Sequence, residues 1–101
     1  MPDTRMDDGK AAVAAASELF RVLSADVRLA IVLQLLDSPR SVQQLVAALD
    51  VRQPLVSQHL RVLRAARLVV AEQRARERVY RLVDEHVRHI VADALLHAAE
   101  G

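Results

Sequence analysis

Apolar positions recur at spacings of three and four along most of the chain. From Ala11 to Leu23 the sequence is rich in alanine, with Val13, Leu19, Phe20 and Leu23 as its larger apolar residues, and it predicts a helix that a neighbour can approach closely. Ser24 reads as the N-cap of a second helix over 25–36, striped by Leu29, Val32, Leu33 and Leu36. Asp37-Ser38-Pro39 stops it. Ser41 followed by Gln44 has the form of a capping box. It opens a third helix to Leu49, with Val42, Leu45, Val46 and Leu49 facing inward. After a short turn over 50–53, Pro54 suits the first position of a fourth helix, whose apolar side is formed by Leu55, Leu60 and Leu63. The pattern then becomes extended at 67–70 and again at 79–82, around a polar hairpin over 71–78 with no glycine at its tip. Asp84 stands where it can N-cap a last helix to Ala99, with Val87, Ile90, Val91, Ala94 and Ala98 as its apolar face.

This order predicts a mainly α fold with a small β-hairpin. Two helices joined by a tight turn and followed by a hairpin form a winged helix-turn-helix. The chain of 101 residues suits one domain. Residues 1–10, polar and rich in aspartate, are expected to be a flexible N-terminus to a domain over 11–101. There is no cysteine, which excludes disulfides and thiolate metal sites. No apolar run has the length of a membrane span. The N-terminus lacks the basic-then-apolar order of a signal peptide. A cytoplasmic protein with no membrane partner is expected.

Net charge is only +1, but it is unevenly spread. From Arg52 to Arg81 there are eight arginines against Glu72 and Glu77, an electrostatic footprint for phosphate. On the fourth helix Ser57, Arg61 and Arg64 step by four and three and share a face, with Gln53 and Gln58 near its start. The N-terminal part of the second helix of such a motif meets base edges. Glutamine pairs with adenine and arginine with guanine. Arg64, further along, is expected at phosphate, and Arg74, Arg76 and Arg78 on or near the wing. Double-stranded operator DNA is therefore the expected partner, and no small organic substrate is expected. His59 lies towards the apolar side and reads first as a packing or hydrogen-bonding residue.

The last helix carries His86, His89, Asp93, His97 and Glu100 as a polar stripe. His97 and Glu100 are one turn apart and can share an ion, as can Asp84 and His86 where the helix begins. His86 and His97 are about 16 Å apart along a helix rising ~1.5 Å per residue, whereas zinc–ligand bonds are about 2 Å. One chain cannot close this site. Two antiparallel copies about a two-fold axis can, with Asp84 and His86 of one protomer meeting His97 and Glu100 of the other, twice per dimer. The apolar neighbours, packed with the alanine-rich first helix, would supply the seam of a homodimer through the first and last helices. Two imidazoles and two carboxylates suit tetrahedral zinc. Cobalt fits the same set, and nickel would recruit His89 or Asp93.

The run Gln53-Pro54-Leu55-Val56-Ser57-Gln58-His59-Leu60, followed by Leu63, Ala66, Leu68 and Val69, resembles the recognition-helix signature of the ArsR/SmtB repressors. Leu23 to Ile31, with Arg28 in the middle, resembles the start of the same family's domain. The resemblance spans roughly 19–100. It implies a dimeric winged-helix repressor that releases its operator when metal binds. The family's helix-five zinc sensors carry Asp-x-His-x10-His-x2-Glu, which this chain has at Asp84, His86, His97 and Glu100. The family's other metal site is built on cysteines in the helix before the turn, where this chain has Val42-Gln43-Gln44-Leu45-Val46. Two departures stand out. Arg67 occupies the place of a glycine that usually closes the recognition helix, and the wing tip lacks a glycine.

Three rivals follow from the same residues. One is a winged-helix repressor with no metal effector. Another is a dimeric protein-interaction module, which leaves the arginines around the fourth helix unexplained. The last is a hydrolytic metalloenzyme, disfavoured because four protein ligands leave zinc no open position for water. The expectation is a non-enzyme.

Overall fold

The computed structural model describes residues 4–101 and runs α1 (Thr4–Leu23), α2 (Asp26–Gln34), β1 (Arg40–Ser41), α3 (Val42–Leu49), α4 (Gln53–Ala65), β2 (Val69–Arg74), β3 (Glu77–Leu82) and α5 (Glu85–Glu100). The first helix starts at Thr4, earlier than its alanine-rich run, so the segment 1–10 is helical from that point; residues 1–3 lie outside those described.

Local capping explains most of the boundaries. Ser41 Oγ accepts from the Gln44 amide at 3.2 Å, while Gln44 Oε1 accepts from the Ser41 amide at 2.8 Å. The capping box predicted for α3 is thus complete. Asp84 caps α5, its Oδ1 accepting from the Val87 amide at 3.0 Å. Ser24 does not cap α2 as expected. Its hydroxyl donates to the Arg21 carbonyl at 2.7 Å and so closes α1, and α2 begins after Ala25 with no side-chain cap. Pro54 is the second residue of α4, one place later than expected.

The end of α4 is a Schellman motif. Leu68 donates its amide to the Leu63 carbonyl at 2.9 Å and Arg67 donates to Arg64 at 3.0 Å. The turn requires a left-handed residue, and Arg67 supplies it with φ 62°. The cap that a glycine would close is therefore kept here with an arginine in its place.

The sheet is antiparallel, in the order β1-β3-β2. β2 and β3 pair from Val69↔Leu82 to Arg74↔Glu77, which leaves a two-residue turn at Ala75-Arg76. The two strands thus run through most of the polar hairpin expected over 71–78, beyond the apolar residues at 67–70 and 79–82. Ala75, with φ 53°, takes the positive-φ position where such turns favour glycine. β1 was not predicted. Its two residues pair Arg40 with Tyr80 and Ser41 with Val79, and a pair of residues carries no alternation to detect.

The core joins Ile31, Val32 and Leu35 of the α2 region, Leu45 of α3, Val56, Leu60 and Leu63 of α4, and Val87 and Val91 of α5. Tyr80 and Leu82 close it from β3. Val56, rather than Leu55, completes the inward face of α4; Leu55 is 41% exposed. Positions 56, 60 and 63 step by four and three, so Leu55 lies off the stripe. Leu33, read as part of the α2 stripe, is likewise exposed, and Ile31 is buried instead. α1 packs on the body only near its end, through Leu19, Val22 and Leu23. Val13 and Phe20 remain 67% and 57% exposed.

Candidate nucleic-acid interface and metal ligands

With Val56, Leu60 and Leu63 turned inward, the helical repeat sets Ser57, Arg61 and Arg64 on one flank of α4. They line a groove of ≈ 190 Å³ with Arg78 and Tyr80 of β3. The sheet thus adds to the same concavity as the helix. Arg78 and Tyr80 share a strand face by the period of two, and the Arg78 guanidinium lies 5.8 Å from the Tyr80 ring centroid. Three guanidinium groups line this groove and no carboxylate does.

Gln53 and Gln58 are exposed on α4. Gln53 is also held from the preceding helix, since Gln43 Nε2 donates to Gln53 Oε1 at 3.1 Å. The wing is less uniformly free than its composition implies. Arg74 Nη2 donates to Glu72 Oε2 at 3.2 Å, and Arg81 Nε donates to Glu72 Oε1. The Arg81 hydrogen bond is the main cause that holds the Glu72 carboxyl below its usual range, with Arg74 adding to it. Arg76 occupies the tip of the turn and Arg78 the strand beyond it. Sequence reasoning missed Gln43, Tyr80 and Glu72. The alternation of Arg78 and Tyr80 was a usable signal. The Gln43–Gln53 bond had none, because it joins two helices whose packing angle is not written in either.

His59 lies on the opposite flank of α4 from Ser57 and is half-buried. Its Nδ1 is buried without a hydrogen-bond partner. Burial first, and the Arg28 cation second, hold its pKa below the ordinary histidine value. This places His59 in the packing, as expected.

On α5, His86, His97 and Glu100 are exposed, at opposite ends of a 16-residue helix. Asp84 is exposed at the cap. Its Oδ1 is occupied by the Val87 amide, and a carboxylate keeps further lone pairs for a cation. Among the described residues no three His, Cys, Asp or Glu side chains stand together to hold one metal ion. The structure of one chain therefore brings Asp84 and His86 to one end and His97 and Glu100 to the other, and does not unite them. None of the four forms an ion pair among the described residues. His89 differs, with Nε2 3.9 Å from Glu85 Oε2. Between the two ends, Ile90 and Ala94 of α5 line an apolar groove of ≈ 220 Å³ with Phe20, Leu23 and Leu29. His86, Ile90 and His97 fall within about 40° of one another around a helix of 3.6 residues per turn.

Residues 26–70, from α2 through α4, match the "Bacterial regulatory protein, arsR family". The HTH-type transcriptional regulator NmtR of Mycobacterium tuberculosis is 40% identical over 91 residues, covering 90% of this chain and 75% of that protein. The chain belongs to the ArsR family. The HTH-type transcriptional repressor SmtB of the same organism is 59% identical over 86 residues, 85% of this chain. The chain spans 64% of the length of that relative. Among solved structures, the homodimeric winged helix-turn-helix DNA-binding domain Mb0332 of Mycobacterium bovis superposes with a TM-score of 0.84, over 93% of this chain and 87% of that one, at 24% identity. The fold of this ArsR-family chain is thus a winged helix-turn-helix: α3 and α4 form the motif, and β2 and β3 the wing. The family is one of regulatory proteins rather than enzymes.

Proposed function

We propose that this ArsR-family protein is a homodimeric transcriptional repressor that binds a two-fold operator and releases it when zinc binds. The observation that carries the DNA reading is the groove in which Ser57, Arg61 and Arg64 of α4 meet Arg78 and Tyr80 of β3. Helix and strand converge there on one acid-free concavity, which suits a phosphate backbone beside a major groove. Gln53, Ser57, Gln58 and Arg61 are assigned to base edges, and Arg64, Arg76 and Arg78 to phosphate or minor groove. Arg74 joins them by leaving its exposed pair with Glu72, a pair of little intrinsic strength. Such a protein works in the cytoplasm beside the DNA. Among the described residues no helix is long and apolar enough to cross a membrane.

The exposed apolar residues support the dimer. Phe20, Ile90 and Leu96 lie exposed on α1 and α5, and pairing of these two helices across a two-fold axis would cover them. In that dimer zinc is assigned to Asp84 and His86 of one protomer with His97 and Glu100 of its partner. The donor set fits zinc, and its two halves lie at opposite ends of one helix, as an antiparallel pair requires. Bound there, zinc supplies a fixed link between the protomers. Cobalt would use the same residues, and nickel would add His89 or Asp93. Release follows if the linked arrangement of α5 holds the two α4 helices away from the spacing of about 34 Å between successive major grooves. DNA must then weaken zinc binding by the same factor by which zinc weakens DNA binding.

Salt-dependent binding of the protein to its own upstream DNA tests the DNA reading. A wild-type affinity that falls steeply with salt, and whose slope drops by about 0.9 for each phosphate-contacting arginine removed, supports it. No binding to that DNA at low salt overturns it.

A further inference from the structure

We propose that Gln43, on the helix before the turn, sets the base preference of the interface by fixing the carboxamide of Gln53. The inference rests on the DNA-binding reading above. Gln43 is the second residue of α3 and Gln53 the first of α4. Both are exposed, and Gln43 Nε2 donates to Gln53 Oε1 at 3.1 Å.

A free glutamine at the start of a recognition helix turns its carboxamide to suit the base it meets. It can present its oxygen, its NH2 group, or both to adenine N6 and N7. Here one face of the Gln53 oxygen is engaged by Gln43. That orients the amide so that the Gln53 Nε2 hydrogens are left as donors, while Gln43 keeps its own Oε1 as an acceptor. The pair therefore offers a donor and an acceptor side by side, from two helices clamped to each other. In the major groove only adenine shows an acceptor, N7, beside an amine donor, N6. The geometry assigns adenine to the position facing this pair in each half-site. Gln43 takes no part in the capping box, which uses Ser41 and Gln44, so its removal leaves the start of α3 closed.

The pair also predicts a change of preference. In Gln43→Glu the side chain at 43 can only accept, so Gln53 must turn its NH2 group towards it and its oxygen outward. An outward acceptor matches the cytosine N4 amine.

The test is selection of the full-length protein on a randomised operator library, read by sequencing, for wild type, Gln53→Ala, Gln43→Ala and Gln43→Glu. Circular dichroism confirms that each variant is folded. Gln53→Ala is expected to erase the preference at one position per half-site. Gln43→Ala is expected to weaken the adenine preference at that same position about tenfold and leave the salt slope unchanged. Gln43→Glu is expected to move that position towards cytosine. Unaltered preference in Gln43→Ala at the position that Gln53→Ala erases overturns the proposal, as does an equal loss on all sequences. A wild-type protein that binds all sequences equally overturns the proposal, whereas one that retains no DNA at low salt overturns the DNA-binding reading itself, and the wild-type arm alone tells the two apart.

Discussion

The backbone amide of Leu68 reaches the carbonyl of Leu63 at 2.9 Å, closing α4 around Arg67, the residue between them with φ 62°. Both leucines are buried, so the closure also sets where β2 leaves α4 and hence where the wing stands beside the helix. A side chain in the left-handed region costs on the order of 1 kcal/mol relative to glycine. Arg67→Gly is therefore expected to raise stability by about that amount, a Tm increase of about 4 °C or more for a domain of this size at fixed protein concentration. Thermal unfolding by circular dichroism checks it. A fall in Tm would show that the arginine side chain contributes more than its backbone costs.

Ala75 poses the same question at the wing tip, with φ 53° and only Arg76 beside it in the turn. Ala75→Gly is expected to raise Tm by a similar margin, with DNA affinity unchanged, because no side chain assigned to DNA is removed. Paired thermal melts and binding curves check both halves.

Removal of the Ser41 hydroxyl undoes one half of a capping box in a buried position. Ser41 is 4% exposed, and its Oγ is the acceptor for the Gln44 amide. Ser41→Ala is expected to cost about 1–2 kcal/mol, measured by denaturant unfolding. A change below about 0.5 kcal/mol would mean that the amide finds another partner.

The pH dependence of stability carries a contribution from His59. Burial first, and the Arg28 cation second, hold its folded pKa below the ordinary histidine value, so the unfolded chain takes up a proton more readily than the folded one. By linkage, stability from this group is full above the unfolded pKa and is lost as pH falls through it, until the folded pKa is passed. Unfolding free energy measured from pH 8 to pH 5 is expected to fall more in wild type than in His59→Leu. Parallel curves for the two proteins would contradict the assignment. The exposed Glu72 pairs, whose carboxyl is held low by Arg81 and then Arg74, act in a separate, more acidic window.

Metal binding separates the ends of α5 from its middle. Two zinc sites per dimer are expected by symmetry, titrated against a chromophoric chelator. His97→Ala is expected to weaken zinc by about 100-fold, in line with loss of a ligand from a four-coordinate site. His89→Ala, whose imidazole pairs with Glu85, is expected to leave affinity within a few-fold. Equal losses would place His89 among the ligands beside His97. Unchanged zinc affinity in His97→Ala would remove the site altogether.

Much of this fold was legible because its signals are local. Ser41 with Gln44 and Asp84 ahead of α5 each depend on residues within one turn, and both caps are seen as read, whereas α2 ends at Gln34, two residues before the expected stop. What was not legible depends on choices between neighbours or on distant packing. Leu55 and Val56 are both apolar, and only the phase set by Leu60 and Leu63 decides that Val56 turns inward. β1 exists because Arg40 and Ser41 meet Tyr80 and Val79 across the sheet. Arg67 and Ala75 adopt left-handed backbones that their side chains disfavour, so tertiary context overrides a local preference there. In the candidate interface, the stripe of Ser57, Arg61 and Arg64 follows from helical spacing alone, whereas Gln43 enters only through its bond to Gln53. The metal ligands were legible as spacing, and the single chain leaves them as two halves at the two ends of α5.

In the proposed mechanism zinc and operator DNA compete for two arrangements of one dimer. Fluorescence anisotropy of the full-length protein on its own upstream DNA, first with chelator and then with zinc, tests it most directly. Tight binding in chelator that zinc weakens by about 5–150-fold, the range of ordinary coupling energies, is the predicted result, and the effect should vanish in His97→Ala. DNA binding that zinc leaves unchanged would overturn this competition, and would reduce Asp84, His86, His97 and Glu100 to surface residues of α5.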